Sequence, residues 1–593
     1  MPDLSTPRGA ASGAGEEHDP ILLAIVQKQL DHITHQIGAV MTRTARSPLA
    51  SESHDFSCFL GTASGEIAAQ ADGLPIHSGG GSFAFKAVLA AFADDMADGD
   101  VFLLNDPYVA GGNHLPDYTV IRPVFVAGQL CGFAGNRAHQ SDIGGGAAGT
   151  YNPAATEIFH EGIRLPVLKL VERGKLRRDL WQLLMINTRC PDLMEGDLGA
   201  MLGSVQIGAD NFQKLMTELG VARGLRLLEA VLDYGERCMR AAIAALPDGS
   251  WSGEDGSDTD CFTTVDVPIR VRLTKSGARM CFDFTGSSAQ IKGFKNSTLA
   301  NTWSAVYMAV GTFLEASLPR NGGTFRPVEI IAPLGSILNP RPPAPTTMNT
   351  ILPATEIIHA CWKALAGAQP ERACAGWGKS VYGLTAGRRA DGRTFVMNHW
   401  HASVGSGAVD GRDGFAQAGN LPTLAGRILP NVETYERLYP CRIFQHEMRC
   451  DAAGPGRYRG GTSADYEAEV AVPSEHVIRA EGQHRPTGFG VHGGGAGAPG
   501  TMTVWELAGG PPIPAPQYGT QTLGPMRVKI AGTAGGGWGD PRTREPERVL
   551  RDVRDGLVSA AAARSVYAVA LSPDGRAVDT AATAALRGTG ATA

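Results

Sequence analysis

The chain carries ten cysteines but no C-x-x-C pair, so neither a zinc ribbon nor a thioredoxin-like redox motif is present. Scattered thiols of this kind suit reduced, mostly buried side chains. No apolar run reaches the ~18 residues needed to cross a bilayer. Residues 1–19 are polar and glycine-rich, unlike a secretory leader. A soluble, cytoplasmic protein without a membrane partner is expected. Excess basic charge is also missing: the formal net charge is -6, which argues against nucleic acid or anionic lipid as a partner. There is no G-x-x-x-x-G-K-[ST] segment and no G-x-G-x-x-G framed by strand and helix, so no nucleotide site is recognisable. A G-x-S-x-G elbow is absent, and no cysteine has an evident histidine partner.

Glycine, by contrast, is abundant. The chain has 76, where average usage would give about 40. They gather in short clusters such as Gly79-Gly80-Gly81, Gly111-Gly112 and Gly144-Gly145-Gly146. Glycine permits positive φ and close backbone approach, so the pattern points to a loop-rich α/β enzyme. With 593 residues, 43% of them hydrophobic, the chain has several domains' worth of length and an ample core.

Periodicity supplies the elements. Asp19-Pro20 opens a helix whose apolar face runs through Leu22, Val26, Leu30, Ile33, Ile37 and Val40. Residues 55–70 read as a hairpin, 83–96 as a helix, and 101–104 as a buried strand ending at Asn105-Asp106-Pro107. Tyr118–Val126 and Gln129–Gly135 form a strand pair around Ala127-Gly128. Helices follow over 175–185 and 197–242, then strands over 261–284 and helices over 298–317 and 354–365. Pro340–Pro345 reads as a rigid link, and short strands dominate from Tyr439. The expected fold class is mixed α/β and multidomain: a disordered tail (1–18), an N-terminal α/β metal-site domain (19–255), a central α/β domain (256–438), a C-terminal β-rich domain (439–572) and a frayed tail (573–593).

The densest polar chemistry flanks the 118–135 strand pair. His114-Leu115-Pro116-Asp117 precedes it and His139-Gln140-Ser141-Asp142 follows it. In a hairpin the open end brings the two segments together, so two imidazoles and two carboxylates converge, with Asp55 on a nearby strand. Neutral imidazole plus carboxylate suits Zn²⁺, Mn²⁺ or Fe²⁺, although the same residues also suit solvated turns. His77, beside glycines, either lines a pocket or serves a turn. Glu157-Ile158-Phe159-His160-Glu161 reads as a packing segment, with Ile158 and Phe159 inward.

Many further segments carry a resemblance. They include Leu74-Pro75-Ile76-His77, Asn105-Asp106-Pro107-Tyr108, Gly112-Asn113-His114-Leu115-Pro116-Asp117, Asn136-Arg137-Ala138-His139, Asp142-Ile143-Gly144-Gly145, Asp283-Phe284-Thr285-Gly286 and Gly535-Gly536-Gly537-Trp538-Gly539-Asp540-Pro541. Over roughly residues 19–571 the chain resembles the hydantoinase B/oxoprolinase family. That resemblance implies the metal-binding B-type subunit of an ATP-dependent cyclic amide hydrolase. Such an enzyme opens hydantoin, 5-oxoproline or lactam rings, as a hetero-oligomer with an A-type subunit that binds Mg-ATP and phosphorylates the substrate oxygen. The alternative is a subunit of an acetone- or acetophenone-type carboxylase. By the resemblance, the metal ligands are Asp55, His114, Asp117 and His139. Asp142 is a near neighbour, either positioning or acting as a base, and His77 is a second catalytic candidate. The chain departs from the family pattern at Ser78-Gly79-Gly80-Gly81 and at Thr346–Pro353, where substrate and partner contacts are expected to differ.

Overall fold

The computed structural model describes residues 19–315 and 317–588. The expected tail over 1–18 lies outside the described residues, as do 589–593. A mixed α/β architecture with several sheets is observed, as expected.

The first sheet comprises β1 (Phe56–Thr62), β2 (Ile67–Gly73), β3 (Val101–Leu104), β4 (Asp117–Val126), β5 (Gln129–His139), β6 (Leu168–Glu172) and β7 (Lys175–Leu176). Its order is β2-β1-β5-β4-β3-β6-β7, and every pair is antiparallel. The β4–β5 hairpin turns at Ala127 and Gly128, whose φ values of 49° and 78° are those of a tight hairpin turn. One face of the sheet buries Phe56, Cys58 and Leu60 among side chains of the Pro20–Thr44 and Pro191–Leu219 helices. On the opposite face Phe133 stacks on Phe85 of the Gly81–Phe92 helix, Phe59 meets the same ring edge-on, and Phe102 packs against Phe92. Asp19 caps the first helix, its carboxylate accepting from Ile21 N–H at 2.9 Å.

A four-stranded sheet follows: β8 (Gly249–Thr259), β9 (Thr264–Ser276), β10 (Arg279–Asp283) and β11 (Val328–Ile331), in the order β11-β10-β9-β8. β8 crosses the expected boundary at 255. Its glycines and serines hide a strand that exists because β9 pairs with it. Later strands are β12 (Val381–Arg388), β13 (Thr394–Asn398), β14 (Cys441–Met448), β15 (Ala464–Val470), β16 (Ser474–Ala480), β17 (Thr501–Glu506), β18 (Ile513–Pro514), β19 (Tyr518–Leu523) and β20 (Met526–Ala531). They build two sheets, β13-β12-β16-β19 and β14-β15-β20-β17-β18. β12 and β13 lie before the expected boundary at 438 and share a sheet with β16 and β19.

The tail expected to be frayed from 573 instead carries a helix, Thr580–Gly588. Thr583 ties it down, its Oγ1 accepting from Ala570 N–H at 3.0 Å, while Arg587 donates to the Arg544 carbonyl at 2.6 Å.

Candidate metal centre

The β4–β5 register ends on the pair Asp117↔His139. The 105–116 loop then folds back to deliver His114. Asn105 anchors this loop, donating to the Leu115 carbonyl at 2.7 Å and to that of Ile163 at 2.9 Å. Gly112 passes so close to the Asn105 carbonyl that a Cβ would lie 2.0 Å from its oxygen. Gly111, with φ +69°, packs tightly on Phe83. Here the glycines permit a close backbone approach that no larger residue allows.

The result is a buried cluster. Asp117 Oδ1 lies 2.8 Å from His114 Nε2 and 3.2 Å from His139 Nδ1. Its Oδ2 lies 3.3 Å from His77 Nε2, which is 3.9 Å from Asp55 Oδ1. None of the five side chains belongs to a residue more than 8% exposed. His114 Nδ1 donates to the Thr347 carbonyl at 2.5 Å, which leaves Nε2 as the lone-pair nitrogen of the neutral ring. Among the described residues, neither His114 Nε2 nor Asp117 Oδ2 has a hydrogen-bond partner. Buried polar atoms without partners are costly, and a cation would satisfy both at once. One ligand atom from each of His114, Asp117 and His139 lies within 4.8 Å of the other two. That spacing and the N/O donor set fit a divalent transition metal.

Without a cation the charges compensate one another. Burial alone raises the Asp117 carboxyl, but the His114 and His77 rings hold it well below the usual carboxylate range. Burial lowers His114, yet Asp117 outweighs it and the ring sits above its ordinary value. For His77 burial wins over Asp117 and Asp55, which keeps that ring below its ordinary value.

Of the expected ligands, His114, Asp117 and His139 are thus brought together. Asp55 stands one step away, beside His77. Asp142, expected as a near neighbour that either positions or acts as a base, has contacts of the positioning kind. Its Oδ1 accepts from Gly144 and Arg189 N–H at 3.0 and 2.8 Å, and its Oδ2 from Gly149 N–H and Arg189 Nη1 at 2.9 and 3.0 Å. Four donors occupy the carboxylate, which clamps the 142–149 loop. In the 157–161 segment Ile158 is buried as expected, whereas Phe159 is exposed and Glu161 is buried. Glu161 accepts from Thr346 and Thr347 N–H at 2.9 and 2.8 Å and so fixes the carbonyl that orients His114.

Other contributors escaped sequence reasoning. Arg137 is fully buried and donates to Thr119 Oγ1 at 2.8 Å, to the His77 carbonyl at 2.9 Å and to Asn113 Oδ1 at 2.9 Å. Its place beside His139 in β5 was the only signal. Gly80 explains part of the unusual glycine run, because a Cβ there would lie 2.7 Å from Asn113 Oδ1. Tyr151 stacks on His139, with ring centroids 5.8 Å apart and planes at 19°. The Thr346–Pro353 departure packs directly on this site, with Asn349 donating to the Asn113 carbonyl at 2.8 Å.

Among the described residues, no helix is long and apolar enough to cross a membrane. The family profile described as hydantoinase B/oxoprolinase matches residues 19–541. The chain is 32% identical over 589 residues to the beta subunit of caprolactamase from Pseudomonas jessenii, covering 96% of this chain and 99% of that one. A crystal structure of the ATP-dependent caprolactamase from the same organism superposes with a TM-score of 0.89 at 30% identity, over 96% of this chain and 100% of that one. The B component of a putative D-/L-hydantoinase from Pseudomonas sp. is 29% identical, over 93% and 95% of the two chains. A nucleotide-free acetone carboxylase structure superposes with a TM-score of 0.85 at 21% identity, over 97% of this chain and 83% of that one, a likeness of fold alone. The chain belongs to the hydantoinase B/oxoprolinase family.

Proposed function

We propose that this chain is the B-type subunit of an ATP-dependent hydrolase of cyclic amides, opening hydantoin, 5-oxoproline or lactam rings. The observation that carries the reading is the buried cluster of His114, Asp117 and His139, with Asp55 and His77 alongside, in a chain of this family. His114, Asp117, His139 and Asp55 would hold a divalent cation: zinc, manganese or iron. When bound, such a cation supplies Lewis-acid polarisation of a carbonyl and activation of water.

The chain's own residues do the remaining work. Thr347 and Asp117 fix the ring orientations of His114 and His139. His77, kept neutral by burial, can accept a proton at a ring nitrogen, with Asp55 and Asp117 stabilising the charge that results. Arg137 holds the His77 backbone in place. An amide is a poor electrophile, and phosphorylation of its oxygen would make it reactive. With no recognisable nucleotide motif in the chain, that step falls to an A-type partner binding Mg-ATP. Two relatives are themselves named as the beta or B components of their enzymes. We place the assembly in the cytoplasm as a hetero-oligomer.

The test is co-expression with an A-type partner, followed by ATP turnover against hydantoins, 5-oxoproline, lactams, and ketones with bicarbonate. Ring opening coupled to ATP hydrolysis is expected. Turnover with a ketone and bicarbonate alone would replace the amidase reading with a carboxylase one.

A further inference from the structure

Several buried cations in this protein come with carboxylates. Lys295 has Glu481 at 2.5 Å, Lys379 has Glu356 at 3.0 Å, and Arg544 has Asp413 at 2.7 Å and Asp552 at 2.8 Å. Like Arg137 and Arg427, Arg479 on β16 has none. It is fully buried and makes no ion pair with a described carboxylate. Its Nη2 donates to Asn398 Oδ1 at 2.9 Å, while Nε and Nη1 have no hydrogen-bond partner of good geometry among the described residues, the Tyr151 side chain being the guanidinium's other polar neighbour. Glu481, two residues further on, is no counter-ion, since Lys295, Ser257 and Tyr518 already engage it. A buried guanidinium with two idle N–H donors is an expensive arrangement unless an anion completes it.

Its position indicates which anion. The guanidinium carbon lies 3.6 Å from the centroid of the Tyr151 ring, and that ring stacks on His139. One aromatic ring therefore separates Arg479 from the His114–Asp117–His139 cluster. Tyr151 ends a loop with positive φ at Gly144, Gly145, Gly149 and Thr150. A guanidinium recognises carboxylate and phosphate oxygens alike, and of the two the activated substrate of the proposed reaction carries a phosphate. We infer that Arg479 anchors the phosphoryl group of the activated substrate beside the metal cluster. The identity of that anion rests on the cyclic-amide reading, whereas the existence of an anion site does not.

The test uses the full chain and inorganic phosphate as the probe, followed by calorimetry at constant ionic strength, with metal content measured in parallel. Phosphate is expected to bind the wild-type chain at one site. Arg479→Gln should weaken it at least tenfold and Arg479→Lys less so, with metal content unchanged. Acetate should bind at least tenfold more weakly than phosphate. No phosphate binding by the wild type, or equal binding by a folded Arg479→Gln, overturns the proposal. Acetate bound as tightly as phosphate overturns the phosphoryl assignment. Should Arg479→Gln fail to fold, Arg479→Lys decides, because it keeps the charge but loses the fork; unchanged affinity there counts against the proposal. Repeating the titration on His114→Ala/His139→Ala separates the two readings. Arg479-dependent binding that survives without metal supports the anion site even if the metal reading fails, and phosphate binding lost with the metal overturns it.

Discussion

Asp117 and His139 stand opposite each other as the terminal pair of one hairpin, with carboxylate Oδ1 and ring Nδ1 3.2 Å apart. His114 approaches the same oxygen from the preceding loop at 2.8 Å. A single carboxylate oxygen thus gathers two imidazoles, and the hairpin register fixes that geometry.

Replacing both rings should empty the site without unfolding the chain. His114→Ala with His139→Ala is expected to abolish metal content, measured by elemental mass spectrometry, together with ATP-coupled ring opening. Near-ultraviolet circular dichroism should be retained. A double variant that keeps its full metal stoichiometry would sink the ligand assignment.

Asp142 should matter for stability before chemistry. Asp142→Ala leaves the N–H groups of Gly144, Gly149 and Arg189 without their acceptor and is expected to cost about 3 kcal/mol in denaturant unfolding. Lost turnover with unchanged stability would instead restore Asp142 as a base.

Gly112 tests the loop that delivers His114. Gly112→Ala forces a Cβ to within 2.0 Å of the Asn105 oxygen; a loss of about 3 kcal/mol, with reduced metal content, is expected. Gly199→Ala is the control. Nothing lies within 4 Å of its Cβ position in the Pro191–Leu219 helix, so stability should hold or rise by ~0.5–1 kcal/mol. Equal effects from the two variants would refute the close-approach argument.

Acid should destabilise the C-terminal sheets through buried histidines. Burial lowers His401 and His476 to about 4, with His446 adding repulsion at His401. His401 faces His446, Tyr435, Tyr466 and Arg427, and His476 faces His399 and Thr385. The unfolded chain binds protons at these rings near pH 6.5, while the folded chain resists until about pH 4. The unfolded state therefore carries more protons between those values, and stability falls as pH drops through that window, by roughly 3 kcal/mol per ring once complete. Unfolding midpoints measured from about pH 7 to 4 check this. His476→Gln should flatten the slope, and an unaltered slope would contradict the account.

The site was partly legible in the sequence because its first layer is local. H-x-x-D segments at the two ends of one strand pair can only meet if that pair is a hairpin, and Ala127-Gly128 makes it one. His77 was marked by its glycine neighbours, but its place between Asp55 and Asp117 was not. Between its two expected roles Asp142 stayed open, because nothing in its surrounding residues reveals four donors arriving from the 144–149 loop and Arg189.

The sequence by itself determined the alternation that builds the hairpin, the glycines that let the 105–116 loop close, and the lack of a recognisable nucleotide motif. Tertiary structure alone decided that the Thr347 carbonyl, 233 residues from His114, sets its tautomer. It also decided that β12 and β13 join the C-terminal strands, and that Arg479 lies one ring from His139. Strand period and turn conformation are properties of a few adjacent residues, so they are written locally. Which distant backbone or cation fills a neighbour's unmet hydrogen bond depends on how whole layers pack, and no short stretch of sequence carries that information.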